Sequence, residues 1–304
     1  MDDVLTANEL SKTYGAFPAL DRCALHVPKG AIYGLIGRNG AGKTTLIRVL
    51  CGLQNPSGGG YALYGVPHDQ KRILTVRRRM GAVVEAPALY PDMSARDNLR
   101  RQYRILGLPD ESDIPGLLAL TGIAGTGKKK ARDFSLGMRQ RLGIAMALAG
   151  GPDLLLLDEP LNGLDPQGII EMRELILKLN RERQMTVLVS SHNLDELSRI
   201  ATHYGFLENG RMVKEISAAE LEKKGQRQLR LKVSDINTLA RVLHARGIDH
   251  RILSDREAVL YGPVSAAEVT ALLAEEGCDI LSLQENAESL ESYYINLIGG
   301  GGHA

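Results

Sequence analysis

A short apolar run at residues 31–36 opens into Gly37-Arg38-Asn39-Gly40-Ala41-Gly42-Lys43-Thr44-Thr45, and residues 44–53 then take on helical character and end at a glycine. Strand, glycine-rich turn and helix in that order leave few folds open. Glycines let successive backbone N–H groups turn inward on one anion, and the start of the helix adds its positive end to the same point. The spacing matches G-x-x-x-x-G-K-[ST], in the strand-to-helix context that pattern requires. Gly37, Arg38, Asn39, Gly40, Ala41 and Gly42 are therefore expected to line a phosphate cradle. Lys43 is placed to meet the outer phosphates, Thr44 to offer a hydroxyl to a divalent cation, and Thr45 to touch the innermost phosphate.

Further buried strands are expected at residues 154–157 and 186–190, each followed by a helical segment. Such alternation predicts an α/β fold: a mainly parallel sheet with helices on both faces. Between residues 86 and 150 the apolar period is helical, broken by turn signals at Pro109, Pro115 and Gly122 to Gly127, which reads as an inserted helical subdomain. The pattern changes near Lys224. Strands at 228–233, 250–254, 257–261 and 279–283, with helices running through Arg246 and over 265–276, give the order βαββαβ of a small α+β, ferredoxin-like module. A last helix is expected at 289–298 and a flexible glycine-rich tail at 299–304. The division is thus 1–222 and 223–304.

Composition narrows the functional classes. The 304 residues carry 37 basic and 36 acidic side chains, and a net charge of +1 supplies no general field for gripping nucleic acid. The three cysteines, Cys23, Cys51 and Cys278, show no CxxC pair, which argues against a zinc site or a disulfide framework and fits a reducing cytosol, with Cys51 expected to be buried. The acidic start Met1-Asp2-Asp3 is unlike a signal peptide, and no apolar run approaches the roughly 18 to 20 residues of a spanning helix. Arg77-Arg78-Arg79 and Lys128-Lys129-Lys130 read as solvated faces, and the scattered Met138, Met146 and Met172 as ordinary packing.

The string Leu154-Leu155-Leu156-Leu157-Asp158-Glu159-Pro160 sets two acids at the exit of an apolar strand, the edge where parallel sheets meet ligands. Two adjacent carboxylates there call for a cation. Asp158 is expected to hold it, and Glu159 to polarise an attacking water.

With these residues in view, the chain resembles the ABC ATPase family of P-loop NTPases. Phe134-Ser135-Leu136-Gly137-Met138-Arg139-Gln140-Arg141 is similar to that family's signature motif, Asn162-Gly163-Leu164-Asp165 to its D-loop, and Ser190-Ser191-His192 to its histidine switch. Tyr14 matches the aromatic that stacks on adenine. The likeness covers about residues 1–220. It implies ATP and Mg²⁺ as cofactors, with Ser135, Gly137 and Asp165 joining the nucleotide contacts and Lys43, Glu159 and His192 the catalytic group. It implies also a homodimer or a heterodimer with a second ATPase subunit, in which the signature of one chain closes over ATP held by the other. The remaining implied partners are polytopic membrane permease subunits, one of which sends a helix into a groove between the insertion and the Glu85 loop. The subunit would be cytoplasmic and peripheral on the membrane.

Two departures stand out. The family usually has glutamine where Met80-Gly81-Ala82-Val83-Val84-Glu85 offers Glu85, another oxygen for Mg²⁺, and Leu136 and Met138 replace a more usual glycine and glutamine. With Ala88-Leu89-Tyr90-Pro91, these are similar to a bacterial subgroup that exports bacitracin, lantibiotics and other amphipathic peptides. The competing expectation is a soluble ATPase of the same type that remodels ribosomes, DNA or a cofactor-assembly complex. The chain lacks the paired cassettes and long coiled coils of such relatives. A regulatory ligand sensor in the C-terminal module is a third reading, for which no ligand constellation speaks.

Overall fold

The computed structural model describes residues 3–224, 228–260, 264–286 and 290–299, and the chain forms two compact units, Met1–Ser217 and Ala218–Ala304. In the first, β1 (Asp3–Tyr14) and β2 (Phe17–Pro28) form a long hairpin, followed by β3 (Ile32–Ile36), α1 (Lys43–Leu50), β4 (Gly58–Leu63), β5 (Val66–Pro67), α2 (Ile73–Val76) and β6 (Met80–Val83). The insertion contributes α3 (Ala95–Leu106), α4 (Ile114–Leu120) and α5 (Leu136–Ala147). Then come β7 (Leu154–Asp158), α6 (Pro166–Arg183), β8 (Thr186–Ser191), α7 (Leu194–Ser198), β9 (His203–Glu208) and β10 (Arg211–Ser217).

Two sheets result. One is a four-stranded antiparallel sheet in the order β2-β1-β4-β5, and the other a six-stranded sheet in the order β10-β9-β3-β8-β7-β6. In the second, β9, β3, β8, β7 and β6 run parallel and only the edge strand β10 is antiparallel. Its central strands β3, β7 and β8 are buried along their whole length, which explains why they read as unbroken apolar runs rather than alternations. A single apolar cluster joins both sheets through Leu46, Ile47, Val49 and Leu50 of α1. Each of these side chains contributes roughly 1.5–3 kcal/mol of burial, so the helix behind the glycine loop is fixed on both sides. A further tie is polar. Buried Tyr33 of β3 donates to Glu215 Oε1 of β10 at 2.6 Å, and Glu215 Oε2 lies 2.8 Å from His26 Nδ1 of β2.

The second unit comprises α8 (Ala218–Lys224), β11 (Gln228–Val233), α9 (Ile236–Ala245), β12 (His250–Ser254), β13 (Glu257–Leu260), α10 (Ala266–Glu275), β14 (Ile280–Asn286) and α11 (Leu290–Gly299). From β11 to β14 the order is βαββαβ, with an antiparallel sheet in the order β12-β13-β11-β14, as a ferredoxin-like module requires. Alternate residues Leu229, Leu231 and Val233 of β11 meet Leu239 and Leu243 of α9 and Val269 and Leu273 of α10 in a separate core. The unit starts at Ala218, five residues before the 223 expected, because α8 belongs with it. Tyr261, Ser289 and the tail from residue 300 lie outside the described residues. No helix among the described residues is long and apolar enough to cross a membrane.

Cys51 is half-buried at the end of α1, not buried, while Cys23 and Cys278 are buried. Of the arginine triplet, Arg77 donates to the Tyr61 hydroxyl, and Arg79 pairs with Asp153 and lies 3.6 Å over the Tyr64 ring. Arg78 and Arg79 are exposed as expected, while Arg77 is half-buried. Lys128, Lys129 and Lys130 are exposed.

Asn98 is the polar anchor of the insertion. Fully buried on α3, it accepts from Tyr90 N at 2.8 Å and donates to the carbonyls of Tyr90 at 3.1 Å and Ser94 at 3.0 Å. The carbonyls of Tyr90 and Ser94 keep backbone donors, Met93 N and Asn98 N, so Asn98→Leu would strand the buried-side donor Tyr90 N, worth about 1–3 kcal/mol when left unpaired. We expect a loss on the order of 1–3 kcal/mol, read as a lowered urea midpoint with an unchanged slope.

Candidate functional site

The five parallel strands end on one edge, and three of them carry the chemistry. β3 runs into Gly37, β7 ends at Asp158, and β8 ends at Ser191, one residue before His192. Because the strands are in parallel register, with Ile36 opposite Ser191 and Asp158 opposite Ser190, residues distant in sequence arrive side by side.

Gly42 caps α1 at φ +107°, and a Cβ there would lie 2.6 Å from the Ala19 carbonyl oxygen. Only glycine fits that turn. The cap has no side-chain acceptor, so the N–H groups at the positive end of α1 remain available to an anion. Lys43, only 6% exposed, folds its ammonium back over the loop, donating to the carbonyls of Gly37 at 2.6 Å and Arg38 at 3.2 Å. It also lies 3.2 Å from Glu159 Oε1.

Glu159 follows β7 at φ +49°, a left-handed conformation that costs a non-glycine residue about 1–3 kcal/mol. Ser190 holds it there. The Ser190 hydroxyl oxygen accepts from Glu159 N at 2.9 Å and donates to Asp158 Oδ1 at 2.6 Å. Asp158 is buried, so this donor satisfies one of its oxygens, and the turn aims the Glu159 carboxylate outward. Its Oε2 lies 3.0 Å from His192 Nδ1. The carboxylate thus stands between an ammonium and an imidazole.

A cleft of about 340 Å³ opens over this edge. It is lined by the predicted Tyr14, Arg38, Asn39, Gly40, Gly42, Lys43, Thr44, Thr45 and Glu159, together with Phe17, Ala19 and Asn162. Tyr14 presents an exposed ring and donates its hydroxyl to Gln54. It pairs across the β1–β2 turn with Phe17, which sequence reasoning missed although an exposed aromatic three residues from Tyr14 was the available signal. Ser190 was also passed over as a site residue, and only strand register reveals it. Gly37 and Ala41 belong to the same loop, with Ala41 buried beneath it.

Gly37, Ala41, Asp158 and His192 adjoin the cleft through the loop and Glu159 without forming its lining, and four further predicted residues also lie outside the lining. Glu85, also left-handed at φ +58°, pairs with Arg48 of α1 at 2.6 Å. Ser135 caps α5 and accepts from Met138 N at 3.3 Å. Gly137 follows in the first turn of α5, and Asp165 caps α6, accepting from Gly168 N at 3.1 Å. The chain therefore presents a cleft made by one set of residues and two capped helix starts made by another. Among the described residues no group of three or more His, Cys, Asp or Glu forms a metal cage.

Comparison with known proteins agrees with this geometry. A family model described as ABC transporter matches residues 20–162. The bacitracin transport ATP-binding protein BcrA of Bacillus licheniformis is 39% identical over 306 aligned residues, spanning 99% of each chain. The lantibiotic transport ATP-binding protein SrtF of Streptococcus pyogenes is 40% identical across 70% of this chain and 90% of its own. Among solved structures, cbiO1 of Clostridium perfringens, part of the ABC transporter complex cbiONQ, superposes with a TM-score of 0.65 at 25% identity, covering 81% of this chain and 96% of that one. The phosphate loop, the paired carboxylates and a likeness running the length of the chain lead to one assignment: it belongs to the ATP-binding, ATP-hydrolysing subunits of ABC transporters.

Proposed function

We propose that the chain powers export of an antimicrobial peptide or similar amphipathic compound through separate membrane subunits, working from the cytoplasmic face in a pair with a second ATPase chain. The observation that carries this reading is Glu159, held between Lys43 and His192 at the mouth of a glycine-lined cleft. Likeness along the full length to a bacitracin transport protein supports the cargo class and favours transport over remodelling of a soluble complex.

Thr44 and Asp158 are hard oxygen donors, the kind Mg²⁺ prefers, and they fit it. Asp158 keeps one carboxylate oxygen clear of its bond to Ser190. When bound, Mg²⁺ neutralises charge on the phosphates. The loop N–H groups and the start of α1 hold the phosphates, and Lys43 exchanges its carbonyl partners for phosphate oxygens. Freed from Lys43, Glu159 can orient a water for in-line attack as general base, while His192 steadies the opposite carboxylate oxygen and senses the outer phosphate. The exposed Tyr14 ring offers a face to adenine.

Ser135 and Gly137 complete the site from the other chain. Capping fixes the Ser135 oxygen through its lone pair and leaves the hydroxyl proton free to donate to phosphate. Asp165 sits at the start of α6 in the D-loop, on the same borrowed surface. ATP shifts the equilibrium between open and paired forms only by its greater affinity for the paired one.

For Glu159→Gln we expect ATP binding to persist while phosphate release from the purified chain falls by about 10² to 10⁴-fold. Full turnover in that variant would remove Glu159 from its role. Ser135→Ala should leave the nucleotide affinity of a single chain within about twofold and reduce ATP-driven pairing in analytical ultracentrifugation by on the order of tenfold. A large drop in single-chain affinity would contradict a site shared between chains.

A further inference from the structure

The signature turn and the D-loop touch within the same chain. A Cβ built on Gly163, which stands at φ +74°, would lie 3.1 Å from Cδ2 of Leu136, and one built on Gly137 would lie 3.6 Å from Cδ2 of Leu164. Each leucine thus rests on the other segment's glycine. Leu136 is the residue that departs from the family's usual glycine, and a glycine would leave the first of these contacts unmade.

One turn further along both helices is a polar counterpart. Arg141 of α5 pairs with Glu171 of α6, and Glu171 Oε1 accepts from Gln167 Nε2 at 3.0 Å. The Gln167 hydrogen bond, followed by the Arg141 guanidinium, holds the Glu171 carboxyl below the usual carboxylate range, so the acceptor stays charged. The guanidinium also lies against Gly137 and Gly122, at 3.7 Å and 3.3 Å from where a Cβ would stand. Beyond this pair the two parts separate into an open cleft of about 730 Å³ between Leu120-Thr121-Gly122 and the α6 residues Ile170, Glu174 and Lys178. The insertion is therefore held to α6 at its signature end and stands apart from it farther along.

We propose that Leu136 and Arg141 are positioning residues that clasp the signature turn to the D-loop of their own chain, so that both reach the nucleotide of the second copy as one piece. This rests on the two-chain reading above. Two reciprocal leucine–glycine contacts backed by an ion pair resist the relative sliding that two separate loops would permit. A displacement of about 1 Å at a reacting centre is enough to cost on the order of a hundredfold in rate. Neither residue lines the cleft of its own chain, so the loss should fall on pairing and turnover and spare first binding.

The test uses the purified full chain. In Leu136→Ala, kcat for ATP hydrolysis should fall about tenfold while KM changes less than about twofold. In a Glu159→Gln background, the same change should weaken ATP-driven pairing. Leu136→Ala with Leu164→Ala should cost less than the sum of the single changes, since both contacts serve the one joint between the signature turn and the D-loop. Arg141→Glu should likewise lower kcat, and Glu171→Arg added to it should restore part of the loss. Parental kcat in Leu136→Ala, or additive losses in the leucine pair, would overturn the clasp while leaving the shared site intact. Failure of the unaltered chain to pair on ATP would instead remove the two-chain reading, and the clasp with it.

Discussion

The Ser190 hydroxyl governs the geometry of the reactive edge. It joins β8 to the end of β7 through two hydrogen bonds made by one oxygen, donating to Asp158 and accepting from the Glu159 amide. The first gives a buried carboxylate oxygen a donor, and the second holds Glu159 in a left-handed turn that its own side chain disfavours. Were the turn to relax toward an extended conformation, the Glu159 carboxylate would leave both Lys43 and His192. Parallel register is what makes this possible, because it sets Ser190 directly opposite Asp158.

The same edge explains why Lys43 is stored as it is. A buried ammonium needs acceptors, and the loop provides two of its own carbonyls and Glu159. Those partners are individually replaceable by phosphate oxygens, so the lysine can change partners without passing through an unpaired state. In the proposed mechanism nucleotide entry therefore acts on Glu159 as well, since the cation paired with it is the one that moves.

Sequence reading recovered those parts of the fold in which one short period or one glycine decides the outcome. Residues 31–36, 154–157 and 186–190 are apolar on both faces, as central parallel strands must be, and β11 shows the strict alternation of a sheet covered on one side. The β1–β2 hairpin escaped notice because register shifts interrupt its alternation and Glu9 and Arg22 adopt positive φ. Glu85 shows a different limit of the sequence: its pairing with Arg48, on the phosphate-loop helix, is one that no spacing rule connects to it. Ser190 lay within a string singled out for His192, and its importance depends on a neighbouring strand, which only the folded register supplies.

In the function proposed above three helix starts meet phosphate, and the way each is capped separates their roles. α1 begins at a glycine with no side-chain acceptor, so its amides are free for the anion bound in the chain's own cleft. α5 and α6 begin at Ser135 and Asp165, which satisfy their own first-turn amides. Helices so capped have less amide capacity to offer, and what α5 presents outward is the hydroxyl proton of Ser135. An uncapped start suits a site that must bind a triphosphate strongly, whereas a capped start suits one that adds a few contacts late, when two chains close. That difference in capping matches the placement of the residues, with the P-loop lining the cleft and Ser135, Gly137 and Asp165 outside its lining.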